Sequence, residues 1–297
     1  MRALAVLIAG VSFAMAAAAQ PAAHPSAKAV WEKDIRDTNA AWSTEKYAIL
    51  KIDDAVYLKP GETAWLVAPR PPAGKTAWRL EAASDPLMVI TYTKNEAVVV
   101  RDGKTSSFNP EDGAEIPIDA EHDVRAQLTQ VAPGEIGMRI FSYDQDNPVA
   151  KAFKGVSYYP YTSHYVIDAA FKAETAKPID FQTSRGWYKR FWRVGTANFK
   201  MKTRDVSLPL YADGPNGEGG MSAFFTDRTT GKTTYQVGRY LDAESEGAFP
   251  PKTVKLDFNY AYNPNCARSP HYNCPYATDV LPVAIEAGEK APEDHPE

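Results

Sequence analysis

The stretch LMVITYTKNEAVVVRD, residues 87–102, contains the pattern that decides the fold class. Two runs rich in β-branched residues flank a short polar break at residues 93–95. β-Branched and aromatic residues favour strands, and a short polar break between two such runs is typical of a hairpin. We therefore predict an antiparallel hairpin here, with residues 98–100 as an almost continuous buried run.

The same pattern recurs along most of the chain. Short runs of β-branched and aromatic residues alternate with turns that contain Gly, Pro or Asn. Residues 27–44 are the exception, because Trp31, Ile35 and Trp42 recur at helical spacing and share one face. These patterns predict a mainly β protein, an antiparallel β-sandwich or open barrel with an N-terminal helix and a smaller N-terminal β unit.

Composition also predicts how the chain is divided. An Ala- and Pro-rich lead at residues 20–26 and an acidic tail at residues 291–297 are expected to be unstructured. Between them we predict a helix with a small β unit over residues 27–125 and a larger β domain over residues 126–290. The boundary is placed at the end of the acidic stretch 111–123, which has the composition of a solvated connection.

The N-terminus has the pattern of a secretory signal peptide. Arg2 precedes an apolar run that ends in small residues before Gln20. The run is shorter than the roughly 20 residues that span a bilayer, which argues against a membrane anchor. We therefore expect a signal peptide at residues 1–19, cleaved after Ala19, and a periplasmic or extracellular protein.

Charge and the missing motifs limit the possible functions. The formal net charge of −4 does not favour a nucleic-acid partner. No later segment of the sequence is long and apolar enough to cross a membrane. The sequence contains no G-x-S-x-G, P-loop, dinucleotide-binding or H-E-x-x-H motif. Enzymatic activity is therefore left open, as is the oligomeric state, and an envelope hydrolase using an Asp/His pair with His122 or His164 stays an alternative.

The segment FNYAYNPNCARSPHYNCP, residues 258–275, contains both cysteines of the chain. In an oxidising compartment two cysteines normally pair, and closing so short a loop stabilises a fold by roughly 2–3 kcal/mol. We predict a disulfide between Cys266 and Cys274. The alternative is a soft-metal site formed by Cys266, His271 and Cys274. No cofactor is expected.

A candidate ligand site lies in the last third of the chain. Residues 227–232 are predicted to form a hairpin turn with Gly231 at positive φ, followed by a strand that contains Arg239. An arginine in an apolar-aromatic strand needs either an internal carboxylate or a ligand anion. The amides and phenols of residues 257–263 are suited to holding a small ligand at the mouth of a sheet. The predicted binding residues for a small-molecule or anionic ligand are Asp227, Thr229, Tyr235, Arg239, Asn259 and Asn263.

Four motifs give the chain a family resemblance. They are F-x-D-x-T-x-G-x-x-T-Y-x-x-G-R-Y-L at residues 225–241, L-D-F-N-x-A-Y-N-P-x-C-A at 256–267, C-P at 274–275 and L-P-V-A-I-E-A-G-E-K at 281–290. With these motifs the chain, over about residues 31–290, resembles a bacterial family known as the domain of unknown function numbered 1684. The resemblance implies a β-rich, often exported protein without an established activity.

The chain departs from the family pattern after the second cysteine. The family often has a proline pair followed by Glu-Asn there, whereas this chain has YATD at residues 276–279. A role of that glutamate is therefore lost here or has moved to Asp279. Taken together, the sequence predicts an exported, non-catalytic small-ligand-binding or scaffold protein of the cell envelope, with the hydrolase and the metal-binding protein as alternatives.

Overall fold

The computed structural model of the chain describes residues 26–68 and 74–292. The predicted signal peptide, nearly all of the predicted lead and residues 293–297 of the predicted tail lie outside the described residues. The helices and strands, in chain order, are α1 (Ala27–Thr44), β1 (Ile52–Leu58), β2 (Thr63–Val67), β3 (Ala77–Arg79), β4 (Met88–Tyr92), β5 (Ala97–Arg101), β6 (Lys104–Phe108), β7 (Ala114–Pro117), β8 (His122–Ala132), β9 (Glu135–Asp144), α2 (Pro148–Ala152), β10 (Val166–Gln182), β11 (Tyr188–Met201), β12 (Arg204–Ala212), β13 (Met221–Thr226), β14 (Arg239–Ala243), β15 (Thr253–Asp257) and β16 (Asp279–Val280).

The strands form three sheets. Two of them have the orders β3-β2-β4-β5-β6 and β1-β9-β8-β7, and the third has the order β14-β13-β12-β11-β10-β15 with β16 parallel to β13. Every other strand pair is antiparallel among the described residues. The predicted fold class is therefore confirmed: a mainly β, antiparallel protein with a half-barrel and an N-terminal helix.

The hairpin at residues 87–102 is confirmed, but its predicted buried run is wrong. β4 and β5 pair in register from Tyr92–Ala97 to Val89–Val100. Within β5 the buried residues alternate, so that Val99 is buried whereas Val100 is 40% exposed. The reason is that successive side chains of a strand point to opposite faces, and only one face of this sheet lies on the core.

The five-stranded and four-stranded sheets pack face to face as a small sandwich. One hydrophobic cluster contains Leu66 and Ile90 of the five-stranded sheet and Val124 and Ile140 of the four-stranded sheet. Their side chains are fully buried or nearly so, so this cluster is the core of the N-terminal part. β8 runs across residue 125, the predicted domain boundary, and β7 lies in the stretch that was predicted to be a solvated connection.

The third sheet curves until its first and last strands meet. Glu244, directly after β14, and Lys255 of β15 form an antiparallel bridge, and Tyr240 and Tyr262 form a second one. Between the bridges, three residues of β14 face six residues that include a 3₁₀ turn at Phe258–Tyr260. The longer side must bulge, because it has more residues to fit between the same two contacts. We call this opening the seam, and α1 covers it.

Two strand predictions in the second half of the chain are wrong. Residues 234–238 were expected to be extended, but they form turns, and β14 begins only at Arg239. Gly231 and Gly238 both have positive φ, which strands do not use, so they end any extended run before Arg239. The predicted positive φ of Gly231 is confirmed. Residues 156–160 likewise form no strand, apart from a single bridge at Tyr158.

None of the helices in the part of the chain that the structure describes is long and apolar enough to cross a membrane.

Candidate functional site: a cleft between the helix and the seam

A cleft of about 720 Å³ lies where α1 covers the seam. Its walls come from three parts of the chain: α1, the loop at Tyr158, and the strands and turn on both sides of the seam. The residues that line it are Ala27, Val30, Asp34, Ile35, Thr38, Tyr158, Leu241, Asp242, Glu244, Lys255, Asp257, Tyr260 and Tyr262.

Trp31 holds α1 in place over the seam. Its side chain is buried, and its indole Nε1 donates a hydrogen bond to the main-chain oxygen of Asn259 at 2.9 Å. Its ring contacts those of Tyr158 and Tyr161, with centroids 6.0 and 5.7 Å apart. Ser26 is the N-cap of the helix, and its side chain accepts from the main-chain nitrogen of Ala29. The shape of the cleft therefore depends on one buried tryptophan.

Two of the three phenols that line the cleft donate to its carboxylates. Tyr260 Oη donates to Asp34 Oδ2 at 2.8 Å, and this bond ties the turn to α1. Tyr262 Oη lies 3.3 Å from both carboxylate oxygens of Asp242. Burial, and then the neighbouring carboxylate, raises the pKa of each phenol well above its usual value. Both tyrosines are therefore protonated donors at neutral pH.

The single cationic side chain among the lining residues also has a partner. Lys255 Nζ lies 2.9 Å from Glu244 Oε2 across the bridge that closes the seam. This hydrogen bond raises the pKa of Lys255, so the ammonium stays charged. The pair fixes one end of the cleft and leaves the ammonium committed to a carboxylate.

Asp257 is the most buried carboxylate of the cleft, with 8% of the residue exposed. Its Oδ1 accepts from the main-chain nitrogen of Asn259 at 3.0 Å and from Asn259 Nδ2 at 2.7 Å. Asn259 in turn exchanges two hydrogen bonds with the main chain of Thr162, both at 3.0 Å. Oδ2 of Asp257 accepts no hydrogen bond from the residues that the structure describes. One oxygen is thus fixed from behind and the other is left for the cleft.

The predicted ligand residues lie elsewhere, and most of them form an internal network. Arg239 Nη2 donates to Asp227 Oδ2 at 2.9 Å and to the oxygen of Ile285 at 3.0 Å, and Nη1 donates to the oxygen of Ala287. Asp227 also accepts from the main-chain nitrogens of Thr229 at 2.7 Å and Ile285 at 3.1 Å. The side chains of the ion pair are almost completely buried. Of the two alternatives for Arg239, the structure shows the internal ion pair.

Asn263 belongs to a second buried network that the sequence analysis missed. Its main-chain nitrogen and its Nδ2 both donate to the Glu289 carboxylate at 2.9 Å, and Arg268 Nη2 binds the same group at 2.5 Å. Asn259 supports Asp257 behind the cleft wall, and Tyr235 lies beside the cysteines, where burial and Cys266 raise its pKa. As ligand-binding residues, all six stay a prediction; the contacts described for them are internal, and none lines the cleft.

Cys266 and Cys274 are buried next to each other but are not bonded in this structure. The main-chain nitrogen of Cys266 donates to Cys274 Sγ at 3.3 Å. A hydrogen bond from the Cys274 thiol lowers the pKa of Cys266, and the same bond together with burial raises that of Cys274. The structure thus shows a dithiol in which Cys266 is the more acidic thiol.

The histidines do not complete the alternative sites. His271 Nδ1 lies 3.6 Å from Asp54 Oδ1, and His271 takes no part in the hydrogen bonds around the cysteines. Within residues 26–68 and 74–292, no three His, Cys, Asp or Glu side chains are grouped as metal ligands. His122 pairs with Asp119 at 3.0 Å, and His164 stacks edge-on against Tyr165. Neither His122 nor His164 lines the cleft.

The C-terminal half carries a recognisable family pattern. Residues 151–290 match the family described as protein of unknown function (DUF1684). The resemblance predicted from the sequence motifs is thus confirmed, although the match begins at residue 151 and not near residue 31. The DUF1684 segment contains the third sheet and the seam. The cleft is therefore formed by the DUF1684 segment on one side and by α1, outside the match, on the other.

Solved structures are also similar to this chain. One of them is the solution NMR structure of the uncharacterized protein from gene locus rrnAC0354 of Haloarcula marismortui, with 29% sequence identity, a TM-score of 0.42, and a match that covers 50% of this chain and 82% of that one. No curated protein matches the chain.

Proposed function

We propose that the protein is a non-catalytic binding protein that holds one small molecule in the cleft between α1 and the seam. The volume of about 720 Å³ supports this, since small-molecule sites usually measure about 300–1,000 Å³. The lining also has the usual composition of such sites, with apolar side chains such as Val30, Ile35 and Leu241 around a few polar groups. The observation that carries the proposal is the opening between two bridges, where the strand ladder is interrupted under a docked helix.

The chemistry of the lining favours binding over turnover. Three of the four lining carboxylates are engaged by a phenol or an ammonium, and the lining residues include no histidine, serine or cysteine. A nucleophile with an adjacent base is the usual arrangement for hydrolysis. The buried Arg239–Asp227 pair supports a structural role for that region.

We also propose that the protein works outside the cytoplasm, with Cys266 and Cys274 joined as a disulfide there. The signal-peptide pattern at residues 1–19 supports export, and the adjacent burial of the two thiols supports pairing. Mass spectrometry of the protein purified from its export compartment without reductant tests both parts. A chain that begins at Gln20 and is two hydrogens lighter than the dithiol is expected. A retained N-terminus or two free thiols would each refute the corresponding part.

Saturation-transfer NMR with a library of small amines, sugars and carboxylic acids tests the binding site. Thr38→Trp places an indole at an exposed position that lines the cleft, and Arg36→Trp places the same group at an exposed helix position that does not. At least one compound should give signals with the wild type and with Arg36→Trp but not with Thr38→Trp. Equal signals from all three proteins, or no signals at all, would refute the proposed site.

A further inference from the structure

The groups that line the cleft are mainly hydrogen-bond acceptors, with the hydroxyls of Thr38 and Tyr158 as further donors. Four carboxylates line it, and the single lining ammonium, on Lys255, is paired with Glu244. The phenols of Tyr260 and Tyr262 donate their hydrogen bonds to Asp34 and Asp242, so a ligand meets their oxygens as acceptors. A ligand rich in acceptors, such as a carboxylate or phosphate, would find repulsion and few free donors there.

Asp257 adds an observation that does not depend on the number of acidic residues. The residue is more than nine-tenths buried, Asn259 fixes its Oδ1, and Oδ2 accepts no hydrogen bond within the described part of the chain. Oδ2 is therefore the carboxylate oxygen that a donor entering the cleft can reach, and hydrogen bonds between charged groups are among the stronger ones. The cleft wall thus contains an acceptor that is held in place and has no partner.

Resting on the proposed binding function, we propose that the ligand is an organic cation whose protonated amine binds Oδ2 of Asp257. An ammonium group carries three donors and no acceptor, which matches this lining. Aromatic rings of Tyr158, Tyr260 and Tyr262 border the same space, and aromatic faces attract cations. A bare metal ion fits less well, since no three metal-binding side chains converge among the described residues.

Lys255 does not already satisfy Asp257. The two residues lie two positions apart on β15 and share a face, but the ammonium forms its ion pair with Glu244 at 2.9 Å. The lysine therefore closes the end of the cleft and leaves Asp257 to the ligand. Its positive charge also disfavours amines that reach past Asp257 towards the bridge.

Isothermal titration calorimetry at pH 7 with spermidine, maltose, citrate and calcium chloride tests the proposal. Spermidine should bind the wild type, and Asp257→Asn should weaken its binding by about tenfold or more, because the amide lacks the charge that attracts the ammonium. Asp205→Asn is the matched control, since Asp205 is a highly exposed carboxylate that does not line the cleft. It should leave the affinity unchanged.

The outcomes separate the ligand class from the proposed function. If maltose, citrate or calcium binds and is blocked by Thr38→Trp while spermidine does not bind, the amine is refuted and the binding cleft stands. If no compound here or in the NMR library responds to Thr38→Trp, the cleft itself is refuted. Circular dichroism checks that Asp257→Asn is folded. Should it not fold, Thr38→Trp replaces it, and unchanged spermidine affinity in that variant would refute the amine site.

Discussion

Replacing Arg239 with methionine should destabilise the protein severely without a change at its surface. The guanidinium is almost fully buried and donates to the Asp227 carboxylate and to the main-chain oxygens of Ile285 and Ala287. Methionine keeps much of the apolar contact with the Phe225 ring, over which the guanidinium lies at 5.4 Å. The main change is therefore the loss of one buried charge and its hydrogen bonds.

The expected loss follows from what the substitution leaves behind. Removing one partner of a buried ion pair costs about 3–5 kcal/mol, because the remaining charge is stranded. Asp227 keeps donors from Thr229 and Ile285, which reduces the penalty, whereas the carbonyls of Ile285 and Ala287 lose theirs, which adds to it. We therefore expect the free energy of unfolding, from equilibrium urea denaturation, to fall by about 3–5 kcal/mol.

The matched control is Arg190→Met. Arg190 makes a two-pronged pair with Asp180 at 2.7 and 2.9 Å, but both side chains are more than one-third exposed, so only a small loss is expected. Equal losses in the two variants would refute the reasoning.

Three further predictions concern charge, backbone and helix docking. Burial lowers the pKa of Lys189, which forms no ion pair among the described residues. Between the lowered pKa and 10.5 the unfolded state binds more protons, so wild-type stability should rise with pH towards 10.5. Urea titrations of Lys189→Met should lack that rise. Gly231→Ala and Gly238→Ala both place alanine at positive φ, which should lower the free energy of unfolding by about 1–2 kcal/mol in each variant. A Cβ at Gly238 would also lie 2.4 Å from the Cβ of Ala277, so Gly238→Ala should lose about 1–3 kcal/mol more. Equal thermal melts of the two variants would contradict this. Trp31→Phe removes the indole donor and should lower the free energy of unfolding by about 1 kcal/mol. It should also speed hydrogen exchange of the amides in α1. Unchanged exchange would show that the helix docks without that bond.

Much of the fold could be predicted because strand patterns are local. The hairpin at β4 and β5 and the helix around Trp31 follow from the spacing of apolar residues. The beginning of β14 could not be found this way, because the apolar-aromatic run before Arg239 is interrupted by Gly238, whose positive φ belongs to a turn closed by Tyr235. Local alternation does not show that a glycine has left the extended region.

The cleft could be predicted only in part. Phenols and amides after Asp257 indicated a ligand site at the mouth of a sheet, and Asp257, Tyr260 and Tyr262 do line the cleft. The opposite wall comes from α1, where the sequence around Asp34 looks like the solvated face of an ordinary amphipathic helix. Such a site is assembled across more than two hundred residues of sequence, and no local spacing predicts which surfaces meet.

Hydrogen–deuterium exchange with and without saturating spermidine tests the central claim most directly. The account predicts slower exchange in α1 and in residues 239–262, on both sides of the seam, with no change in the small N-terminal sandwich. The account also predicts that spermidine does not slow exchange of these segments in Asp257→Asn. Spermidine binding that protects other segments, or no protection at any concentration, would contradict an amine site between the helix and the seam.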